Sequence, residues 1–405
     1  MRFLVDTGPI LFSLRRHRTA ATLIVLQIAL TCAIVCNAIF LIRERLVRMD
    51  RPSGLVEDEL LRVRLAGIGT TEGAQALTKR DLDALAAIPG VKSVVSVNMV
   101  PFGTSSWNSG VSTIPDDPKS PMNVATYLSG QDLVGTFGLN LIAGRNFQPE
   151  EILSFEDTAE PAVAIVSKAT AERLFPNQDP LGKALYFGSK HPTRIIGVVE
   201  LLARPNDWGG RDAVGCSVIL PVRMAFGPAS YILRVDTDRR EEILAQVDAV
   251  LEQNSASRIL DSKFTYTALR RDYFQQDRSM AWLMFVVSAA LLVITALGVV
   301  GLASFWVQQR RRQIGIRRAL GATRGDIVRY FQTENFILAT IGIVLGMALA
   351  YGLNLVLMDK YEVERLPAQL LPIGALLLWS LGQVAVLGPA LRAAAIPPAI
   401  ATRTV

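Results

Sequence analysis

The chain has 405 residues, enough for about two or three soluble domains, yet 50% of them are hydrophobic and only 19% are charged, below the roughly 25% usual for soluble proteins. Its net charge of +6 comes from arginines that flank apolar runs and form no aromatic-interleaved basic face, which argues against a nucleic-acid partner. Three cysteines (Cys32, Cys36 and Cys216) make no disulfide framework, and the two histidines, His17 and His191, lack neighbours at metal-ligand spacing.

The chain opens with a segment, 1–18, that reads as a cytoplasmic amphipathic helix lying along the inner membrane surface. Residues 19–42 then carry no charged side chain, and the same holds for 279–309, 335–358 and 366–391. Each run exceeds the roughly 20 apolar residues needed to cross a bilayer, so transmembrane helices are expected at 19–42, 281–307, 335–358 and 369–391. Neither Cys32 nor Cys36 follows a lipoprotein or signal-peptidase pattern, so the first run reads as an uncleaved anchor.

Residues 43–280 have a soluble composition. Period-two alternation predicts strands near 59–66, 91–100, 122–129, 161–167, 193–200, 217–222, 230–236 and 262–267. Helical patterns fit 78–88, with Thr78 as N-cap, and 168–175 and 239–253. Strand, helix and strand at the beginning of this region echo strand, helix and strand at its end. The expected fold class is therefore an α-helical membrane protein with four transmembrane helices and an α+β extracytoplasmic domain between helix 1 and helix 2. That domain would consist of two βαβ-type halves flanking a unit inserted at roughly 105–225. The charged segments 43–51 and 268–279 lack turn signals and are predicted to extend the first two spans outward as a stalk.

Loop 308–334 holds Arg310, Arg311, Arg312, Arg317, Arg318, Arg324 and Arg329 against Asp326 and Glu334. Loop 359–368 is balanced, with Lys360 and Arg365 against Asp359, Glu362 and Glu364. The positive-inside bias makes the first loop cytoplasmic and the second external, with the N-terminus and the tail 392–405 both cytoplasmic. Trp282 and Trp306 lie about 36 Å apart along a helix and would mark the two interfaces of span two, whereas Trp379 falls inside span four as a packing residue. In span three, Gly342, Gly346 and Ala350 form a small-residue stripe for close helix packing, either within the chain or against a second copy. No span carries an Asp, Glu, Lys, Arg or His, which argues against an ion-coupled transporter. The chain has no GxSxG, HExxH, CxxC or P-loop motif, so no catalytic residue, metal site or nucleotide site is expected on it.

The loop sequence RRRQIGIRRALGATRGDIVRYFQTE, from Arg310 to Glu334, resembles the segment after the second helix in permeases of the MacB/FtsX superfamily of ABC transporters. Ile314, Gly315, Ile316, Arg317, Arg318, Ala319, Gly321, Ala322 and Glu334 carry the match. Three further passages resemble the family: the turn from Gly144 to Phe147, the RLFPNQDPLGK run from Arg173 to Lys183, and the tail with Pro389, Ala390, Ala393, Pro398 and Arg403. The resemblance implies a non-catalytic permease subunit of an exporter in the bacterial inner membrane, working by mechanotransmission. It would bind two copies of a cytoplasmic ABC ATPase, which carry the ATP and Mg, and a second permease chain, same or different. Membrane lipid surrounds it, and efflux members add a periplasmic adaptor and an outer-membrane channel. Cargo would be amphipathic, peptide or lipid-linked molecules. By the same analogy Gln313, Ile314, Gly315, Ile316, Arg317, Arg318, Ala319, Gly321, Ala322 and Arg324 couple to the ATPase. Ile314 and Ile316 would pack on its surface, and Arg317, Arg318 and Arg324 would meet acidic groups or lipid phosphates. Gln313 stands where the family usually has Glu. An FtsX-type signal transmitter that activates a periplasmic partner and a lipoprotein-releasing permease are the alternative functions.

Overall fold

A computed structural model of the protein describes residues 18–67, 73–117, 122–155, 160–207, 210, 213–224, 230–254, 258–361 and 365–396. The expected surface helix before Arg18, and Pro398 and Arg403 of the tail, lie outside the described residues. The chain divides into a membrane unit, Met1–Asp50 with Gln276–Val405, and an inserted unit, Arg51–Gln275.

In chain order, helix α1 (Arg18–Met49) leads into the inserted unit. There follow β1 (Leu60–Gly67), α2 (Ala74–Ala86), β2 (Val91–Val97), β3 (Asn108–Val111), β4 (Met122–Leu128), α3 (Leu133–Phe137) and β5 (Leu141–Gly144). Next come β6 (Leu153–Ser154), β7 (Val163–Ser167), α4 (Lys168–Leu174), β8 (Ala184–Leu185), β9 (Thr193–Val199), β10 (Ser217–Leu220) and β11 (Val222–Arg223). The unit closes with β12 (Ser230–Val235), α5 (Arg240–Asn254), β13 (Arg258–Thr265) and α6 (Tyr266–Tyr273).

The two echoing halves do not stand side by side. They interleave in one antiparallel sheet of order β13-β1-β12-β2, so each βαβ unit is split by a strand of the other. Interleaving lets α2 and α5 cover the same face. Leu85 and Ile88 from the first half and Ile243, Val247 and Leu251 from the second bury against Val63, Tyr231 and Leu233. The Tyr231 hydroxyl donates to Asp81 (2.7 Å), both being fully buried. One sequence expectation fails here. Helix α2 starts at Ala74, with Gly73 as N-cap in the left-handed region (φ 77°), so Thr78 lies inside the helix and caps nothing.

The inserted subunit is a second sheet of order β3-β4-β10-β7-β9-β5, with β8 on β9. The backbone pair Ser112–Tyr186 joins the ends of β3 and β8 (N···O 3.0 and 2.9 Å), so β3, β4, β10, β7, β9 and β8 close into a small barrel. The short strands β3 and β8 were not legible as alternation. Two to four residues are too few to carry a period, and what holds them is the pairing around the ring.

The membrane unit continues with α7 (Gln275–Gln309), α8 (Arg311–Ala319), α9 (Arg324–Tyr361) and α10 (Leu371–Ala394). Helices α1, α7, α9 and α10 are each long and apolar enough to span a bilayer. The segment 43–49 continues α1 without a break, whereas 268–279 is divided at Phe274 between α6 and α7. Arg45 and Arg48, near the end of α1, both bind Asp277 in the first turn of α7 (Arg48–Asp277 3.2 Å). Each charge also sits at the helix terminus whose dipole favours it.

The small-residue stripe of α9 faces α1 inside the same chain. A Cβ on Gly346 would lie 2.5 Å from Cys32 Cβ and 2.6 Å from the Ala29 carbonyl, and one on Gly342 would lie 2.8 Å from Ile28. Ala350 is fully buried, and its carbonyl accepts from Asn37 Nδ2 (3.2 Å). Helix α7 is held differently, through the Thr31–Thr295 hydroxyl pair (2.8 Å) and the Gln27 amide on the Ile294 carbonyl (3.2 Å). Trp282 is exposed, as an interfacial ring would be, but Trp306 is buried among the helices and stacks on Arg310. Replacing Gly346 by Val should therefore lower stability by about 1–3 kcal/mol through overpacking, while Gly388→Val, at a position with open space around it, should be close to neutral. Thermal unfolding of the two solubilised variants checks this.

Candidate functional site: the α7–α8–α9 corner

The cationic loop folds into a helical corner whose shape is written in its turn residues. Helix α7 ends at Arg310, a single non-helical residue, and α8 begins immediately after it. Just past the end of α8, Gly321 adopts φ 102°, a left-handed conformation that costs glycine little. Its N–H bonds to the Arg318 carbonyl (3.2 Å) and that of Ala322 to the Arg317 carbonyl (3.0 Å), closing the end of α8. Thr323 then caps α9 reciprocally. The Asp326 N–H donates to Thr323 Oγ1 (3.2 Å), and the Thr323 N–H donates to Asp326 Oδ2 (2.9 Å).

Helix α8 is two-faced. Ile314 and Gly315 are buried, and Ile314 joins Val307, Ile327, Phe331, Ala390 and Ala393 in a cluster contributed by α7, α9 and α10. Gln313, Ile316 and Leu320, at spacings that bring them to one side of a helix, are exposed. Ile316 of α8 is 45% and Leu320, the residue that caps its C-terminus, 83% solvent-accessible, on a segment otherwise studded with arginines. Arg312, Ala319, Gly321 and Arg324 are exposed around them, and Ala322 is half-buried against the cluster.

Two of the expected coupling residues are occupied within the chain. Ile314 packs inward, so it is not available to a partner's surface. The Arg318 guanidinium donates to the carbonyls of Ala394 (3.0 Å) and Ile396 (2.7 Å), satisfying backbone acceptors at the end of α10. It ties α8 to the end of the fourth span. Arg317 lies over the Tyr330 ring, 4.9 Å from its centroid. Gln313 borders a narrow crevice with Arg310, Arg317, Tyr330 and Phe331. A Glu at this position would thus have two arginines of its own chain beside it.

Sequence reasoning passed over three residues of the corner. Leu320 was readable from its spacing to Ile316. Arg310 and Glu334 were visible only as topology and as a motif match, yet they form a buried ion pair, with Arg310 Nη1 2.9 and 3.1 Å from the two carboxylate oxygens. Their side chains are 10% and 1% exposed, and the Trp306 ring lies 5.6 Å from the guanidinium. The pair fastens the hinge residue between α7 and α8 to the base of the third span. Removing one partner of a buried pair strands the other charge, at about 3–5 kcal/mol. Glu334→Gln should lower the melting temperature and expose the corner to trypsin, and Arg310→Met with Glu334→Leu should recover much of that loss. Limited proteolysis and thermal unfolding of the three proteins measure it.

Among the described residues, no group of three or more His, Cys, Asp or Glu side chains is placed to hold a metal ion. The corner carries an exposed apolar pair, Ile316 and Leu320, among exposed arginines.

The family profile of the MacB-like periplasmic core domain matches residues 19–261, and that of the FtsX-like permease C-terminal region matches residues 285–398. Among curated relatives, the macrolide export ATP-binding/permease protein MacB of Chromobacterium violaceum is 26% identical over 245 residues, covering 58% of this chain and 36% of the relative. The pyoverdine export ATP-binding/permease protein PvdT of Pseudomonas putida is 24% identical over 370 residues, covering 88% of this chain and 53% of the relative. The chain thus spans between about a third and about half the length of these relatives. Among solved structures, the periplasmic region of MacB from Actinobacillus actinomycetemcomitans aligns over 56% of this chain at 15% identity, with a TM-score of 0.34.

Proposed function

Because the chain belongs to the MacB/FtsX superfamily of ABC transporter permeases, we propose that it is the permease subunit of an exporter driven by ATP hydrolysis on a separate cytoplasmic ATPase. In this reading the α8 corner is the receiving surface. Ile316 and Leu320 bury into the ATPase, Gln313 lies at the edge of that contact, and Arg312 and Arg324 supply the surrounding positive charge. ATPase closure pushes on α8. The Arg310–Glu334 pair and the Ile314 cluster pass the push to α7 and α9, and α7 carries it to the inserted unit. Both termini and the corner face the cytoplasm. The cargo is amphipathic, peptide or lipid-linked and is handled outside the membrane, in keeping with spans that carry no Asp, Glu, Lys, Arg or His.

The observation that carries the reading is the exposed apolar pair of the α8 corner. Two large aliphatic side chains at 45% and 83% exposure, on a segment rich in arginine, fit the apolar centre and charged rim of a protein interface. Co-purification of the full chain from native membranes, followed by mass spectrometry and an ATPase assay, tests it. Wild type should retain an ABC ATPase. Ile316→Asp and Leu320→Asp should each weaken that retention by about thirtyfold or more, a loss of about 2 kcal/mol typical of an interface hot spot. Ile114→Asp, an exposed position in the inserted unit, should leave it unchanged. A wild-type chain that retains no ATPase, or that hydrolyses ATP alone, rules the reading out.

A further inference from the structure

The small barrel is packed solid at one end and hollow at the other. Its interior rows follow from the registers, with Val111 facing Met122, Thr126 level with Val218, and Ala164 level with Ile195. Toward the end where β4 and β10 finish and β3, β7 and β9 begin, these rows run on as Ser109, Thr126, Leu128, Thr193 and Leu220. There they enclose a cavity of about 370 Å³ instead of further core. The mouth of a barrel is a common place for a small-molecule site, and this volume falls in the lower part of the range of about 300–1,000 Å³ found for such sites.

The wall chemistry is specific. The threonine hydroxyls inside are already spoken for: Thr126 Oγ1 donates to Ser109 Oγ (2.9 Å) and Thr193 Oγ1 to the Pro161 carbonyl (2.7 Å). An occupant therefore meets a mixed lining, in which Leu128, Leu153, Leu220 and Val222 offer apolar contact and Ser109, which accepts from Thr126, keeps its own hydroxyl proton to donate. At the rim, Trp107 and Phe155 stand edge to face with centroids 6.0 Å apart, and they remain 37% and 41% exposed. Large rings held half in water at a cavity mouth invite a flat apolar body. Among the described lining residues Glu160 is the only charged one. Its Oε2 accepts from Ser189 Oγ (2.5 Å), and the neighbouring Lys190 is turned to Asp116 (3.4 Å).

We propose that the barrel mouth is a binding site for a small amphipathic monocation, with its aromatic or aliphatic body between Trp107 and Phe155 and its ammonium group on Glu160. The carboxylate at the rim disfavours anionic amphiphiles and leaves neutral ones without the ionic contact. The site lies wholly within the inserted unit and its occupancy needs no nucleotide, so the inference stands or falls separately from the coupling of α8 to an ATPase.

The test is equilibrium dialysis of the full chain in zwitterionic nanodiscs against 2-(1-naphthyl)ethylamine, with empty nanodiscs subtracted for partition into lipid. The neutral N-acetyl derivative and the anion 1-naphthylacetate serve as comparisons. Saturable retention of one amine per chain is expected, about tenfold tighter than the amide, with the anion weakest, as one charge-assisted hydrogen bond implies. Glu160→Gln should bring the amine to the level of the amide while leaving the amide unchanged. Leu128→Trp and Ser109→Phe fill the mouth from two different strands, and each should abolish retention of both, with unaltered thermal unfolding as the check on folding. Equal amine binding by wild type and Glu160→Gln, retention that survives both filling variants when they fold, or no saturable retention at all would each overturn the proposal.

Discussion

Two helices that meet in lipid gain nothing from expelling water, so the membrane unit depends on how closely α9 can approach α1. Gly342 and Gly346 have no room for a Cβ, which would lie 3.0 Å from the Val25 carbonyl at the first position and 2.6 Å from the Ala29 carbonyl at the second. That contact, with α10 laid against α9, makes a rigid post. Helix α7 is joined to it by polar contacts, Thr31 with Thr295, Gln27 with the Ile294 carbonyl, and Arg45 and Arg48 with Asp277, and by the packing of Val299, Ala303, Trp306 and Val307 toward its C-terminal end. Hydrogen bonds of this kind are local and can shift register, whereas an interdigitated glycine seam cannot slide without collision. Under the proposed mechanism α7 is the element free to move and α1 with α9 the element that stays.

The α7–α8–α9 corner divides its labour by helix face. Arginine content alone suggests a uniformly charged loop, but the charges have separate roles. Arg310 neutralises Glu334 in a buried pair, Arg318 satisfies the open carbonyls of α10, and Arg317 stacks on Tyr330. The exposed face that remains sets Ile316 and Leu320 among Arg311, Arg312 and Arg317. The departure at Gln313 also changes meaning. The residue sits beside Arg310 and Arg317, so its missing negative charge alters the balance inside the corner as much as at any external contact.

In the inserted unit the two echoing halves share a sheet because each alone has a helix on one face and an open strand edge on either side. Interleaving pairs those inner edges and places α2 and α5 over one core. The barrel carried between β2 and β12 solves its edges by closure, with the Ser112–Tyr186 pair as the last link. Closure on so few residues leaves one end underfilled, and the mouth cavity is the result.

Much of the protein was legible in one dimension because its strongest signals are local. Charge-free runs longer than a bilayer is thick have few stable alternatives to spanning helices. The alternation in β1, β4, β9 and β12 marks strands regardless of their partners. The existence of four apolar spans, of an α+β insertion and of the repeat of its two halves was determined at that level. What only the tertiary structure decided concerns direction and partnership. It turned the glycine stripe toward α1, sent Ile314 inward and Leu320 outward, moved the start of α2 from Thr78 to Gly73, buried Trp306, and paired Arg310 with Glu334. These depend on which surface lies opposite a given side chain, and periodicity shows that a helix has two faces without saying what covers each one.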